Sequence, residues 1–243
     1  MESIGVFSQI WLKIVVLITK RDKIRQVITK TQKFWKNDIP GSGNSELLRL
    51  LHKATNIFLT YICLSTCMFL FKPLLVRGTT IYYYYPIQQI PWFVSYAIEF
   101  YVTVVTMLLV IGCNLFISVL IVIGAGQFSN LNAKIKQLDI EKIKDKEDLQ
   151  ICMVELSGDV EYHDFLIEYV KLLDDIFAKL FAILMAIVTA LLCMNMYVLS
   201  QPNTQLVDLI RCGTMVCALT TEFLFLYGVP AQTLMDEVVT RCL

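Results

Sequence analysis

No charged residue occurs between Glu99 and Lys134. A segment this long and this apolar restricts the fold more than any other feature of the chain. About 20 apolar residues already cross the hydrocarbon core of a bilayer. Inside lipid, every backbone N–H and C=O must be satisfied within the protein. The run from Phe100 to Ala133 therefore reads as a membrane helix longer than one crossing requires. The composition agrees: 56% of residues are hydrophobic and 17% are charged, against about 25% charged in soluble domains. Mean hydropathy is +0.62. Basic and acidic residues balance at 21 each, so no overall field points to nucleic acid or an acidic partner.

Other stretches repeat the pattern. Ala54 to Phe71 is uncharged between Lys53 and Lys72, and Leu180 to Leu199 follows Lys179. Leu209 to Val229 is interrupted by Arg211 and Glu222. A weaker stretch, Ile4 to Thr19, carries Lys13 and reads as part of a span. The expected fold class is all-α. It is a polytopic transmembrane helix bundle with four full spans and a partial N-terminal one, forming a single membrane domain over residues 1–243.

The loops give the sidedness, because Lys and Arg are retained on the cytoplasmic side. The segment from Lys20 to Lys53 holds nine basic residues against three acidic ones, while Lys72 to Ser95 holds only Lys72 and Arg77. The first is expected inside and the second outside. The charged stretch Leu131 to Lys179 is then cytoplasmic, and so is the C-terminus. On this topology Ile4 to Thr19 starts outside, and a preceding span is expected ahead of it; the chain reads as truncated at the front.

Between Asn130 and Lys179 the sequence is least membrane-like. Ile135, Leu138 and Ile143 recur at helical spacing among mixed charges, and Phe165, Tyr169, Leu172, Leu173 and Ile176 form one apolar stripe. A helix is expected to start below the membrane and pass directly into the span at Leu180, so that helices pack together beneath the bilayer. A solvated charged loop is the alternative.

The eight cysteines give no disulfide framework. Six of them, Cys63, Cys67, Cys113, Cys193, Cys212 and Cys217, lie in or beside apolar runs, where a thiol behaves as a small hydrophobe. There is no CxxC pair, and His52 and His163 are the only histidines. Neither a metal site nor a cofactor is expected. The spans also lack paired carboxylates and any His–Asp cluster, so neither a membrane enzyme nor a transporter is favoured.

Four segments carry a resemblance. "GAGQFSNLNAKI" (Gly124 to Ile135) resembles the CGQ-x-x-x-L exit of the fourth helix in insect odorant receptors. "VEYHDFLIEYVKLLDDIFAKLFAILMAIVTALLCMNMYVL" resembles their fifth helix, with His163 and Cys193 at the family's His and Cys positions. "FLFLYGVPAQTLMDEV" resembles the sixth-helix exit YCWPAE-x-L, as in ant, bee and wasp receptors, and "FSQIWLKIVVLITKRDKIRQVITKTQKFW" resembles the second half of helix two. Gly228 replaces the usual Cys, and Asn114 stands where an acidic residue often sits.

The resemblance implies a seven-helix receptor subunit with an inverted topology. It would bind small volatile ligands and gate a non-selective cation channel as a heterotetramer with a shared odorant co-receptor. Its place would be the lipid bilayer of the plasma membrane of olfactory sensory neurons. The chain would hold part of helix two through helix six and lack helix one and the pore-lining helix seven, and is expected to be a non-conducting fragment. No catalytic group, cofactor or nucleic-acid partner is implied. A gustatory-type chemoreceptor is the alternative from a related family.

In that family the ligand pocket lies in the outer half of the bundle. The residues at that depth are Met68, Phe71, Tyr96, Phe100, Tyr101, Cys193, Tyr197, Thr214 and Met215. Interfacial or lipid-facing packing is the alternative for each of them. Residues expected at the subunit anchor are Gln127, Leu131, His163, Tyr169, Leu234 and Val238. "TTIYYYYPIQQIPWF" (Thr79 to Phe93) would be a lid over the pocket or an aromatic belt at headgroup depth. Glu222 would touch a partner helix or a pore, or remain buried near the inner leaflet. Gly228 and Pro230 are expected to end the last span.

Overall fold

The computed structural model describes residues 2–35, 39, 41–75, 92–137, 146–201 and 206–239. In chain order the elements are α1 (Glu2–Thr19), α2 (Arg21–Thr31), α3 (Asn44–Leu75), α4 (Trp92–Gln137), α5 (Lys146–Leu199) and α6 (Leu206–Thr221), followed by a π-helical segment (Glu222–Gly228) and α7 (Val229–Val239). Among the described residues there is no strand. The chain is a helical transmembrane bundle. Among the described residues, three apolar helices are long enough to cross a bilayer, Phe93–Gln137, Leu149–Leu199 and Leu209–Val238, and Phe7–Thr19 is a shorter one. α3 carries the uncharged stretch expected between Lys53 and Lys72.

The 46 residues of α4 and 54 of α5 correspond to about 69 and 81 Å at the usual helical rise. A hydrocarbon core is about 30 Å thick, so both helices project well past it. The stripe in α5 is the reason the projection holds together. Leu166, Tyr169, Leu173, Ile176, Phe177, Leu180 and Leu184 are all buried, at helical spacing that runs without a break from the charged stretch into the uncharged one. Leu138 and Ile143 lie outside the described residues, as does the aromatic segment from Thr79 to Pro91.

α3 packs on α6 and α4, α1 on α5 and α4, and α7 on α4. The main core joins Ile24, Val27 and Phe34 near α2 to Ile117–Leu131 of α4, Leu166–Leu184 of α5, Tyr227 and Leu234. It lies in the half of the bundle where α2 and α7 flank α4 and α5. Among the described residues, two smaller groups of buried side chains stand apart from it: Ala54, Phe58 and Leu226, and Val188, Leu191 and Leu219.

Gly228 and Pro230 do not end the last helix. α6 widens into the π-helical segment and continues as α7. The amide of Val229 donates to the carbonyl five residues back, at Leu224. A Cβ on Gly228 would sit 3.3 Å from the Phe223 carbonyl, so glycine lets the wider turn close. Pro230 has no N–H for the carbonyl of Leu226 four residues earlier. The Ser118 hydroxyl donates to that carbonyl instead, at 2.7 Å. A neighbouring hydroxyl thus supplies the hydrogen bond that proline cannot, and the helix continues through the proline.

Candidate functional site

Two polar centres are embedded in this bundle. The first lies within the membrane-spanning part, at the start of the π-helical segment. Lys13 projects from α1 and is 1% exposed. Its ammonium donates to Glu222 Oε1 at 2.6 Å and to Asn114 Oδ1 of α4 at 2.5 Å. The Tyr227 hydroxyl donates to the same Asn114 oxygen, and the Lys13 ammonium lies 5.7 Å from the Tyr227 ring centroid. Three elements distant in sequence therefore meet at one ion pair.

A lone charge at this depth is costly, and one left without its partner is costlier than the intact pair. The lysine that weakens α1 as a span and the acid that interrupts the last one neutralise each other. Asn114 takes two donors on one carbonyl oxygen, which a neutral amide does without adding a second negative charge. No sequence reading joined these residues, because Lys13, Asn114 and Glu222 were each a separate blemish in a different apolar run. Their shared signal was the depth of a polar residue within its span.

The second centre lies where α2 turns back toward α4 and α5. Phe34 is buried edge-on against Tyr169 and Phe165, at centroid distances of 5.0 and 6.1 Å. Trp35 stacks on Tyr162 at 4.3 Å with planes 5° apart. The Gln127 side chain pairs with the backbone of Trp35: its Nε2 donates to the Trp35 carbonyl at 3.2 Å, and its Oε1 accepts the Trp35 N–H at 3.1 Å. Tyr162 adds its hydroxyl to Gln127 Oε1 at 2.8 Å. Burial raises the Tyr162 phenol above its ordinary range, against a smaller lowering by the Trp35 amide. It stays a donor.

The same turn of α4 holds the following loop. Asn130 Oδ1 accepts from Ile39 N–H at 3.2 Å and from Asn44 Nδ2 at 2.9 Å, and Ser129 donates to the Ser42 carbonyl. Gly41 and Gly43 have φ of 86° and 75°, a conformation that favours glycine. The "GQFSN" segment is thus a clamp that grips the chain between α2 and α3. Trp35 and Asn130 were not singled out in the sequence; the Phe34–Trp35 pair ending a basic helix was the available signal.

The residues expected at a subunit anchor fall in the half of the bundle that holds this second centre. Leu131 and Tyr169 are fully buried, Leu234 is 8% exposed, and Val238 packs against the same core. Tyr169 donates to the Leu120 carbonyl at 2.8 Å. Its ring lies against Gly124, where an added Cβ would come within 2.9 Å. His163 sits inside α5, with its ring edge-on to Phe128 at 6.1 Å. These side chains join elements of the one chain to each other.

The residues at pocket depth are more scattered. Tyr96 donates to the Leu70 carbonyl at 3.1 Å and lies 6.5 Å from Phe100 on the same helix face. Met215 packs with Val188, Leu191 and Leu219 and accepts from Ser65. Met68 and Thr214 are half-buried. Phe71, Phe100, Tyr101, Cys193 and Tyr197 are exposed on the described bundle. Among the described residues no group of three His, Cys, Asp or Glu is placed to hold a metal ion.

A family model described as 7tm odorant receptor matches residues 4–239, nearly the whole bundle. The chain belongs to the odorant receptor family. Comparison with curated proteins and with solved structures finds no match. As a member of this receptor family with several apolar helices, the chain is a multi-pass membrane protein. The four segments that resembled insect odorant receptors lie within the matched range. Both polar centres do too, so they are features of an odorant receptor bundle rather than of an appended segment.

Proposed function

We propose that this chain is an odorant receptor subunit that binds small volatile apolar ligands and gates a non-selective cation channel together with a shared co-receptor. The family match across residues 4–239 carries this reading. Ligand is held in the outer half of the bundle, among Met68, Tyr96, Thr214 and Met215, where aromatic and aliphatic side chains suit such molecules. The inner region around Gln127, Leu131 and Tyr169 is the stiff base through which the subunit meets its partners. The protein resides in the plasma membrane of olfactory sensory neurons with its C-terminus in the cytoplasm. An epitope tag near Gly78 is stained on intact cells in this topology, and staining only after permeabilisation contradicts it.

The test of function is expression of the chain with and without the co-receptor in cells otherwise free of odorant receptors, under a panel of volatile ligands. The expected result is co-purification of the two proteins and an odorant response profile that differs from that of the co-receptor alone. An unchanged profile and no co-purification would overturn the proposal.

A further inference from the structure

The cations of α2, with Lys20 just before it, are sorted into two sets. Lys20 and Lys23 both reach Asp175 of α5, and Lys30 reaches Glu168 at 2.8 Å. The Lys30 hydrogen bond, reinforced by its charge, holds the Glu168 carboxyl below its ordinary range; the Lys23 hydrogen bond does the same for Asp175. The three lysines thus face inward, toward α5. Arg21 and Arg25 are exposed, and their guanidinium groups make no hydrogen bond or ion pair within the described structure. They are four apart and share one helix face. The exposed Ile28, three residues further on, continues that face.

Their position relative to the bilayer matters as much as their charge. α1 presents Trp11, Val15 and Ile18 outward, with Trp11 and Ile18 66% and 68% exposed. In a membrane these side chains face lipid tails. Arg21 opens α2 three residues beyond Ile18, just past the break between the two helices at Lys20. The nearby acid, Asp22, is also exposed and occupies the first turn of α2, where a carboxylate is favoured by the helix dipole.

We propose that Arg21 and Arg25 form a binding site for the phosphate of an anionic phospholipid in the cytoplasmic leaflet. The site rests on the sidedness given by the nine basic residues between Lys20 and Lys53. It is independent of the odorant ligand. Charge complementarity identifies the occupant, since that leaflet is the anionic one and a guanidinium grips phosphate through two parallel N–H groups. The lysines already paired with α5 leave the arginines as the outward-facing set. Continuity with the lipid-facing side of α1 places the bound headgroup above tails that pack on Ile18 and Val15.

The experiment reconstitutes the purified chain in nanodiscs of phosphatidylcholine with and without phosphatidylserine, and measures by native mass spectrometry which lipid stays bound. The wild type is expected to retain phosphatidylserine over phosphatidylcholine. The R21Q/R25Q variant should lose about five-fold of that preference per arginine, the equivalent of about 1 kcal/mol for each. Lys136→Gln, an exposed cation on α4, should leave it unchanged. If neutralising both arginines prevents insertion, the R21K/R25K variant keeps the charge and should at least halve the preference. An unchanged preference in the arginine variants would overturn the site. So would an equal loss in Lys136→Gln, or no preference in the wild type.

Discussion

Tyr169 and Tyr101 both sit on long helices of one bundle; the first is fully buried and the second is 69% exposed. The difference follows from what surrounds each half of the molecule. Around Tyr169, α4 and α5 are joined by α2, α7 and the glycine turn that Gln127 and Asn130 hold in place. Around Tyr101, only the spans themselves are present among the described residues, and much of the aromatic surface lies open. The inner half is interlocked by side-chain-to-backbone hydrogen bonds. Among the described residues, the outer half has the small apolar group of Val188, Leu191 and Leu219 and the Tyr96 hydrogen bond to Leu70. Apolar sequence alone does not make a packed core; the polar clasps decide which half is rigid.

Between the halves stands the ion pair of Lys13 and Glu222, and the largest effect is expected there. Glu222→Gln leaves the Lys13 ammonium without its counter-charge among buried groups. It should lower stability by about 3–5 kcal/mol, the usual cost of breaking a buried pair, measured by reversible unfolding in mixed micelles. A loss under half that size would mean that water already reaches the pair.

Within the inner half, Gly124→Ala pushes a methyl into the Tyr169 ring. That ring is tethered by its hydroxyl to Leu120 and flanked by Phe34, so it has little room to yield. Overpacking of this kind costs about 1–3 kcal/mol, and the same unfolding assay reads it. Tyr162→Phe keeps the stack on Trp35 but removes the hydroxyl from Gln127, with an expected loss of about 1 kcal/mol. In the outer half, Phe100→Ala should change stability by no more than about 0.5 kcal/mol. A loss as large as that of Gly124→Ala would show that the outer half is as tightly packed as the inner one.

The spans and the continuous helix through α5 were legible in the sequence, because long uncharged runs and a stripe such as Phe165 to Ile176 leave few alternatives. The importance of Gln127 was visible through its place in the "GAGQF" resemblance, but its role as a clamp on Trp35 was not. That role depends on a backbone brought back by a turn, which has no periodicity to read. Gly228 and Pro230 were misjudged for a related reason. As a pair they resemble a helix stop, and only the distant hydroxyl of Ser118 explains why the helix continues. The ion pair was hidden because its partners lie in different spans, and a sequence gives the depth of a residue more readily than its azimuth around the helix.

Lys13 and Glu222 act as one unit between the two halves. The direct measurement is a double-mutant cycle with Lys13→Met, Glu222→Leu and the double variant, each unfolded reversibly in the same micelles. Each single change is expected to be strongly destabilising, and the double variant to lose far less than their sum, because no charge is then left stranded. Additive losses across the cycle would contradict this.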